Sequence, residues 1–142
     1  KKKFPKIQIH KRSKKYSNDK VKTITTIRNI VRKKNFYKYK FICCIYPATP
    51  LLKKTTLKKT LSICKKNKKF VFPVIQNNQK HKILKLNFKD AGQFYWGTRN
   101  NWLHKKSLIS YESIIYKLKQ NEAVDINTMR DWREALKLFK RK

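Results

Sequence analysis

The chain has 142 residues, 39% hydrophobic and 13% aromatic, which suffices for one buried core and is too apolar for a disordered tail. Its 39 Lys and Arg against 7 Asp and Glu give a formal net charge of +32. The longest apolar run, Phe41 to Tyr46, is too short to cross a bilayer. No basic start leads into a long apolar stretch with a small-residue cleavage site, so no signal peptide is predicted and a cytoplasmic location is expected.

The charge predicts nonspecific polyanion binding through counterion release. Only 7 of the 39 basic residues are Arg, however, and the lysines are scattered through every segment. Phosphate and base recognition lean on Arg forks gathered on one stripe, so the pattern reads more as composition than as a dedicated nucleic-acid face. Residues 1–89 hold 28 Lys and Arg and a single acid, Asp19; the other six acids lie from Asp90 onward.

Residues 1–16 read as a basic arm, with a remnant strand around Phe4 to Ile9, and 17–142 as a single domain. Ser17-Asn18-Asp19 predicts a cap, and Val21, Ile24, Ile27, Ile30 and Val31 mark one face of a helix to about Lys34. Phe41-Ile-Cys-Cys-Ile-Tyr46 reads as a strand buried on both faces, and Pro47 to Pro50 as the loop after it. Leu57, Leu61 and Cys64 predict an amphipathic helix over Thr55 to Lys66. Phe70 to Ile75 is a second buried strand, weakened by Pro73. Further strands are expected at Ile83 to Leu86, Gln93 to Trp96 and Ser113 to Tyr116, with a helical turn at Thr98 to His104. Thr128-Met-Arg-Asp131 reads as a capping box, ahead of a helix with Trp132, Leu136 and Phe139 along one face. Alternation of these elements predicts an α/β fold with a mostly parallel sheet and flanking helices.

Cys43 and Cys44, adjacent in a strand, point to opposite faces and suit neither a mutual disulfide nor a shared metal. None of His10, His81 and His104 supplies a ligand pair at turn spacing. The three cysteines, Cys64 included, read as free thiols in a reducing compartment.

Four stretches in register resemble the pseudaminic acid branch of the acylneuraminate cytidylyltransferase family: Phe41 to Pro50, Phe70 to Ile75, Asp90-Ala-Gly-Gln-Phe-Tyr-Trp-Gly97, and Val124-Asp-Ile-Asn-Thr-Met-Arg-Asp-Trp132. Ser17-Asn18-Asp19 and Thr23 match the segment before the family's middle helix less closely. The resemblance implies a nucleotide-diphosphosugar-transferase-like fold and transfer of CMP from CTP to a nonulosonic acid of pseudaminic or sialic type, with pyrophosphate released. It further implies Mg2+ and a homodimer partner. Ala48, Thr49, Gly92, Gln93 and Tyr95 would then contact substrate, and Asp125 and Asn127 would face the metal. Asn127 stands where the family has a second acid, leaving one negative charge fewer for a cation that favours carboxylates. The family's Gly/Arg/Lys-rich phosphate loop has no counterpart in these residues, whose only glycines are Gly92 and Gly97. A truncated, inactive relative and a basic nucleic-acid-binding module are the alternatives the sequence leaves open.

Overall fold

The computed structural model describes residues 7–141 except Asp19 and Leu84. Four α-helices, α1 (Thr23–Val31), α2 (Lys54–Asn67), α3 (Arg99–His104) and α4 (Met129–Lys140), flank one sheet of five strands. The strands are β1 (Phe41–Ile45), β2 (Val71–Gln76), β3 (Phe88–Asp90), β4 (Phe94–Thr98) and β5 (Ile114–Lys117). The α/β class therefore holds, as a mixed sheet. Only β2 and β5 run parallel; β1 with β4, β2 with β3, and β2 with β4 are antiparallel, so the expectation of a mostly parallel sheet is corrected. Alternation of strands and helices in sequence suggested crossover connections. The link from β2 instead folds back and returns as β3 and β4 along the same edge of β2.

β2 is the central strand, buried from Val71 to Ile75, although it contains Pro73. Ile114 and Leu118 donate to the carbonyls of Phe70 and Val74, so the even-numbered residues of β2 face β5 and Pro73 faces the other edge. There the pairing slips: Val74 opposes Asp90, whereas Val71 opposes Trp96. The slip is a bulge formed by Ala91, Gly92 and Gln93, and Pro73, which has no N–H to give, sits opposite it. Its carbonyl still accepts from Ala91 at 3.0 Å.

The main core gathers Ile24 and Val31 of α1, Phe72 and Val74 of β2, Tyr95 and Trp102, with Phe70 and Phe88. Trp102 is fully buried, stacks edge-on against Phe70 at 5.0 Å between centroids, and donates its indole N–H to the Ile42 carbonyl at 3.1 Å. Gly97 makes room for this pair, since a Cβ there would lie 2.5 Å from the Phe70 ring. Arg28 ties α1 to the end of α3 through the carbonyls of Trp102 and Lys105.

Several local expectations change. α1 starts at Thr23 behind Lys22, which gives no side-chain cap; of the expected cap residues, Asp19 lies outside the described residues, and α1 ends at Val31 rather than Lys34. Residues 4–6 of the expected strand at Phe4 to Ile9 lie outside the described residues, and residues 7–9 are not in a strand. β1 is half-buried rather than buried on both faces. α2 buries Thr56, Thr60 and Cys64 and only half-buries Leu57 and Leu61; the Thr60 hydroxyl is satisfied by the Thr56 carbonyl at 2.8 Å. Of the strand expected at Ile83 to Leu86, Leu84 lies outside the described residues, and Ile83, Lys85 and Leu86 are not in a strand. His81 and Leu86 close a loop there, with Lys85 in the left-handed region at φ 55°, and the next strand is β3. No helix among the described residues is long and apolar enough to cross a membrane.

Candidate functional site

The bulge opposite Pro73 organises the most specific sequence motif. Gly92 has φ +61°, and a Cβ added there would sit 3.2 Å from Oδ1 of Asp125. Glycine is needed both for the left-handed turn and for the close approach of that carboxylate. The turn folds back onto Asp90: the Gly92 N–H donates to Asp90 Oδ1 at 3.0 Å, and the Tyr95 hydroxyl donates to Asp90 Oδ2. Asp90 and Asp125, two of the seven acids of a +32 chain, are thus placed on either side of one glycine.

Both members of the Asp90–Tyr95 pair are electrostatically perturbed. Burial raises the Asp90 carboxyl above its ordinary value; the bonds from Tyr95 and Gly92 pull it back, and the nearby Asp125 charge pushes it up again. Burial, then the Asp90 charge beside it, pushes the Tyr95 phenol well above its usual range. Tyr95 therefore keeps its proton and serves as a fixed donor. Its ring meets that of Tyr46 edge-on at 5.9 Å, and the Tyr46 hydroxyl shares a 2.5 Å hydrogen bond with Thr23 Oγ1 at the start of α1. Asp90, Tyr95, Tyr46 and Thr23 thus form one polar line from the bulge to α1.

A cleft of about 320 Å³ opens onto this line, with Lys22, Thr23, His81, Tyr95, Lys106 and Ser107 among its lining residues. His81 is held by stacking on Phe88, with centroids 4.9 Å apart and planes 10° from parallel. Its lining is mostly apolar, with Ile24, Ile83, Leu108 and Ile109, and Lys22, Lys106 and His81 add the polar and cationic groups that could orient an acidic ligand.

The sequence-predicted residues do not all converge there. Gly92 and Tyr95 both bond Asp90 at the bulge, and Asp125 approaches Gly92 from a separate depression that it lines with Lys89, Asp131 and Glu134. Gln93 is buried, and its amide nitrogen donates to the Glu122 carbonyl at 2.8 Å, pinning the 118–125 segment to the sheet. Ala48 and Thr49 line a different depression, an apolar groove of about 390 Å³ walled by Ile126 and α4. Thr49 is turned back onto its own loop, donating to the Tyr46 carbonyl at 2.9 Å. Asn127 is exposed, and its backbone N–H donates to Asp131 Oδ2 at 3.1 Å within the cap of α4.

The donor set meets part of what Mg2+ asks for. Asp125 accepts no hydrogen bond from the described residues, which leaves its oxygens available as hard ligands. Among the described residues there is no group of three or more His, Cys, Asp or Glu side chains placed to hold a metal, so substrate phosphates would have to complete the shell.

Sequence reasoning missed Asp90, His81, Lys22 and Lys106 as site residues, and used Tyr46 and Thr23 only as parts of motifs. Asp90 alone carried a usable signal, being the acid that opens the Asp-Ala-Gly turn. The cysteines lie apart from this site. Cys43, Cys44 and Cys64 are free, and burial raises their thiols to about 12, 11 and 11, which makes them poor nucleophiles at neutral pH.

No family model matches the chain. Two curated proteins do, both pseudaminic acid cytidylyltransferases of Campylobacter jejuni. The protein of strain 81-176 is 29% identical and that of strain NCTC 11168 is 28% identical, each over 157 aligned positions. In both cases the match covers 91% of this chain and 67% of the relative, so the chain spans about two thirds of the length of these relatives. It is a distant relative of the pseudaminic acid cytidylyltransferases.

Proposed function

We propose that the chain binds a nonulosonic acid of the pseudaminic type and takes part in its activation with CTP, giving the CMP-sugar and pyrophosphate. The observation that carries this reading is the folding of the Asp90–Gly97 motif around a bulge beside a cleft that carries Lys22, Lys106 and His81, in a chain that aligns over 91% of its length with two pseudaminic acid cytidylyltransferases. In this reading Tyr95, whose single hydroxyl proton goes to Asp90, accepts from a sugar hydroxyl, while Lys22 and Lys106 attract the sugar's carboxylate. Tyr46, edge-on to Tyr95, orders Thr23 through their shared hydrogen bond. Asp125 would hold Mg2+, which supplies charge stabilisation at the phosphoryl oxygens when bound. Asn127 would add at most a neutral oxygen. Gln93 acts on this site indirectly, by fixing the segment that carries Asp125.

The test is pyrophosphate release from CTP, pseudaminic acid and Mg2+, against a control without the sugar. Release that depends on the sugar and is lost in Asp125→Ala is expected. A chain that melts cooperatively yet gives no release at saturating substrates would overturn the reading and leave an inactive relative. The +32 charge supports a second, weaker property, nonspecific adhesion to polyanions. It should collapse between low and physiological salt; a base preference that survives physiological salt would make nucleic acid the ligand instead.

A further inference from the structure

The 118–126 segment carries Asp125 but belongs to no strand or α-helix, so other contacts must fix its place. β5 hands it over at Leu118, whose N–H donates to the Val74 carbonyl at 2.8 Å, and Gln120 Nε2 reaches the Gln76 carbonyl at 2.8 Å. Ala123 packs into a small buried cluster with Ile75 of β2 and Ala91 of the bulge. Between these anchors stands Glu122, which makes three bonds. Its carbonyl accepts from Gln93 Nε2 at 2.8 Å, Oε2 from the Lys119 N–H at 3.0 Å, and Oε1 from Lys53 Nζ at 2.6 Å. The bonds from Lys53 and Lys119 hold the Glu122 carboxyl below its ordinary range, so it is ionised at neutral pH.

The partners of Glu122 come from three places. Gln93 belongs to the bulge and is 2% exposed; a buried amide is costly to leave unpaired, so this bond fixes the backbone at Glu122. The next bulge residue back, Gly92, meets Asp125 Oδ1, so two adjacent residues of the bulge contact positions 122 and 125 of the segment. Lys119 lies in the same short turn as Glu122. Lys53 immediately precedes α2, just after the loop of Ala48 and Thr49, with which Ile126 lines the apolar groove. Ala48 and Thr49 thus line one depression and Asp125 another, and the Lys53–Glu122 pair ties their two segments together. The Lys53 and Glu122 side chains are 44% and 21% exposed, and ion pairs in such settings add little to stability. Its consequence is geometric.

We propose that Glu122 is a positioning residue: it holds the 118–126 segment between the bulge and the start of α2, and so sets how well Asp125 takes a divalent cation. The proposal rests on the reading of Asp125 as the Mg2+ ligand. The probe is Mn2+, which favours the same oxygen ligands and broadens the NMR signals of nearby amides. Added alone to the full chain, it should broaden the Gly92 and Val124 amides, and Asp125→Ala should abolish the effect. Glu122→Ala should need about tenfold more Mn2+ for the same broadening, with a melting midpoint close to that of the parent. Lys53→Ala should reproduce part of that loss. Combined with Glu122→Ala it should add nothing, because the bond it removes is already gone. Broadening that is lost in Asp125→Ala but unchanged in Glu122→Ala would overturn the positioning role and leave the metal reading intact. Broadening absent from the parent, or retained in Asp125→Ala, would overturn both. If Glu122→Ala fails to melt cooperatively, Lys53→Ala decides, and an unchanged Mn2+ response there would overturn the proposal.

Discussion

The two ends of the described sheet and its helices bury their aromatic residues to opposite degrees. Around α3, Trp102 is enclosed by Phe70, by the Ile42 carbonyl that takes its N–H, and by α1, which Arg28 clamps from outside. In α4, Trp132 sits on an amphipathic helix but stands half in solvent. α3 is short and is held by its surroundings, whereas α4 is longer and is held by its own cap and by Ala135. A helical stripe in a sequence therefore reports that a face wants burial, and says nothing of whether the described fold provides it.

The largest expected effect tests the enclosed end. Trp102→Ala removes the centre of the core and should cost about 3–5 kcal/mol, read as a loss of cooperative thermal unfolding or a steep fall in its midpoint. Gly97→Ala should follow at about 1–3 kcal/mol, because its Cβ meets the Phe70 ring at 2.5 Å with no flexible chain end to give way. Thr128→Ala should cost about 1 kcal/mol by opening the capping box of α4, in which Thr128 and Asp131 bond reciprocally. Circular dichroism should register it as fraying of α4 alone. The smallest effect belongs to the open stripe: Leu136→Ser should leave the melting midpoint within about 0.5 kcal/mol of the parent. An equal cost for Trp102→Ala and Leu136→Ser would erase the contrast between the two ends.

A pH series sharpens the comparison at the bulge. The folded-state pKa of Asp90 is raised, chiefly by burial, so the native state disfavours its ionised form. Its contribution to stability is greatest below the ordinary carboxyl value of about 3.9 and is lost as pH rises through the raised folded value. Asp90→Asn should remove that dependence, gaining on the parent as pH rises through this window. Asp131 carries the opposite sign. Bonds from Thr128 and the Asn127 backbone lower its pKa, so its contribution is present at neutral pH and lost as pH falls through the lowered value. Melting midpoints of Asp90→Asn and Asp131→Asn relative to the parent should move in opposite directions with pH.

Much of this was legible in the residues. The apolar runs at Phe41 and Phe70, the helical turn expected from Thr98, the Thr128 cap, and the spacings behind α2 and α4 located those elements to within a few residues. Strand direction was not legible, because the turn after β2 depends on Lys85 adopting a left-handed backbone and on His81 closing the loop, neither of which follows from local propensity. Ile83 and Leu86 looked like a strand and ended exposed in that loop. The buried threonines of α2 escaped notice because back-bonding to the helix removes the cost of burying their hydroxyls. At the site, Tyr95 and Gly92 could be read from the motif. The Asp90–Tyr95 bond could not, since it spans five residues across a bulge that only the position of Pro73 in the register explains.

The account stands most directly on the cleft beside the bulge, and titration calorimetry of pseudaminic acid against the parent chain and Tyr95→Phe tests it without requiring turnover. Saturable binding by the parent, weakened about tenfold or more in a variant that melts normally, is the predicted result. No binding by a cooperatively folded parent, or identical affinity in the two proteins, would contradict it.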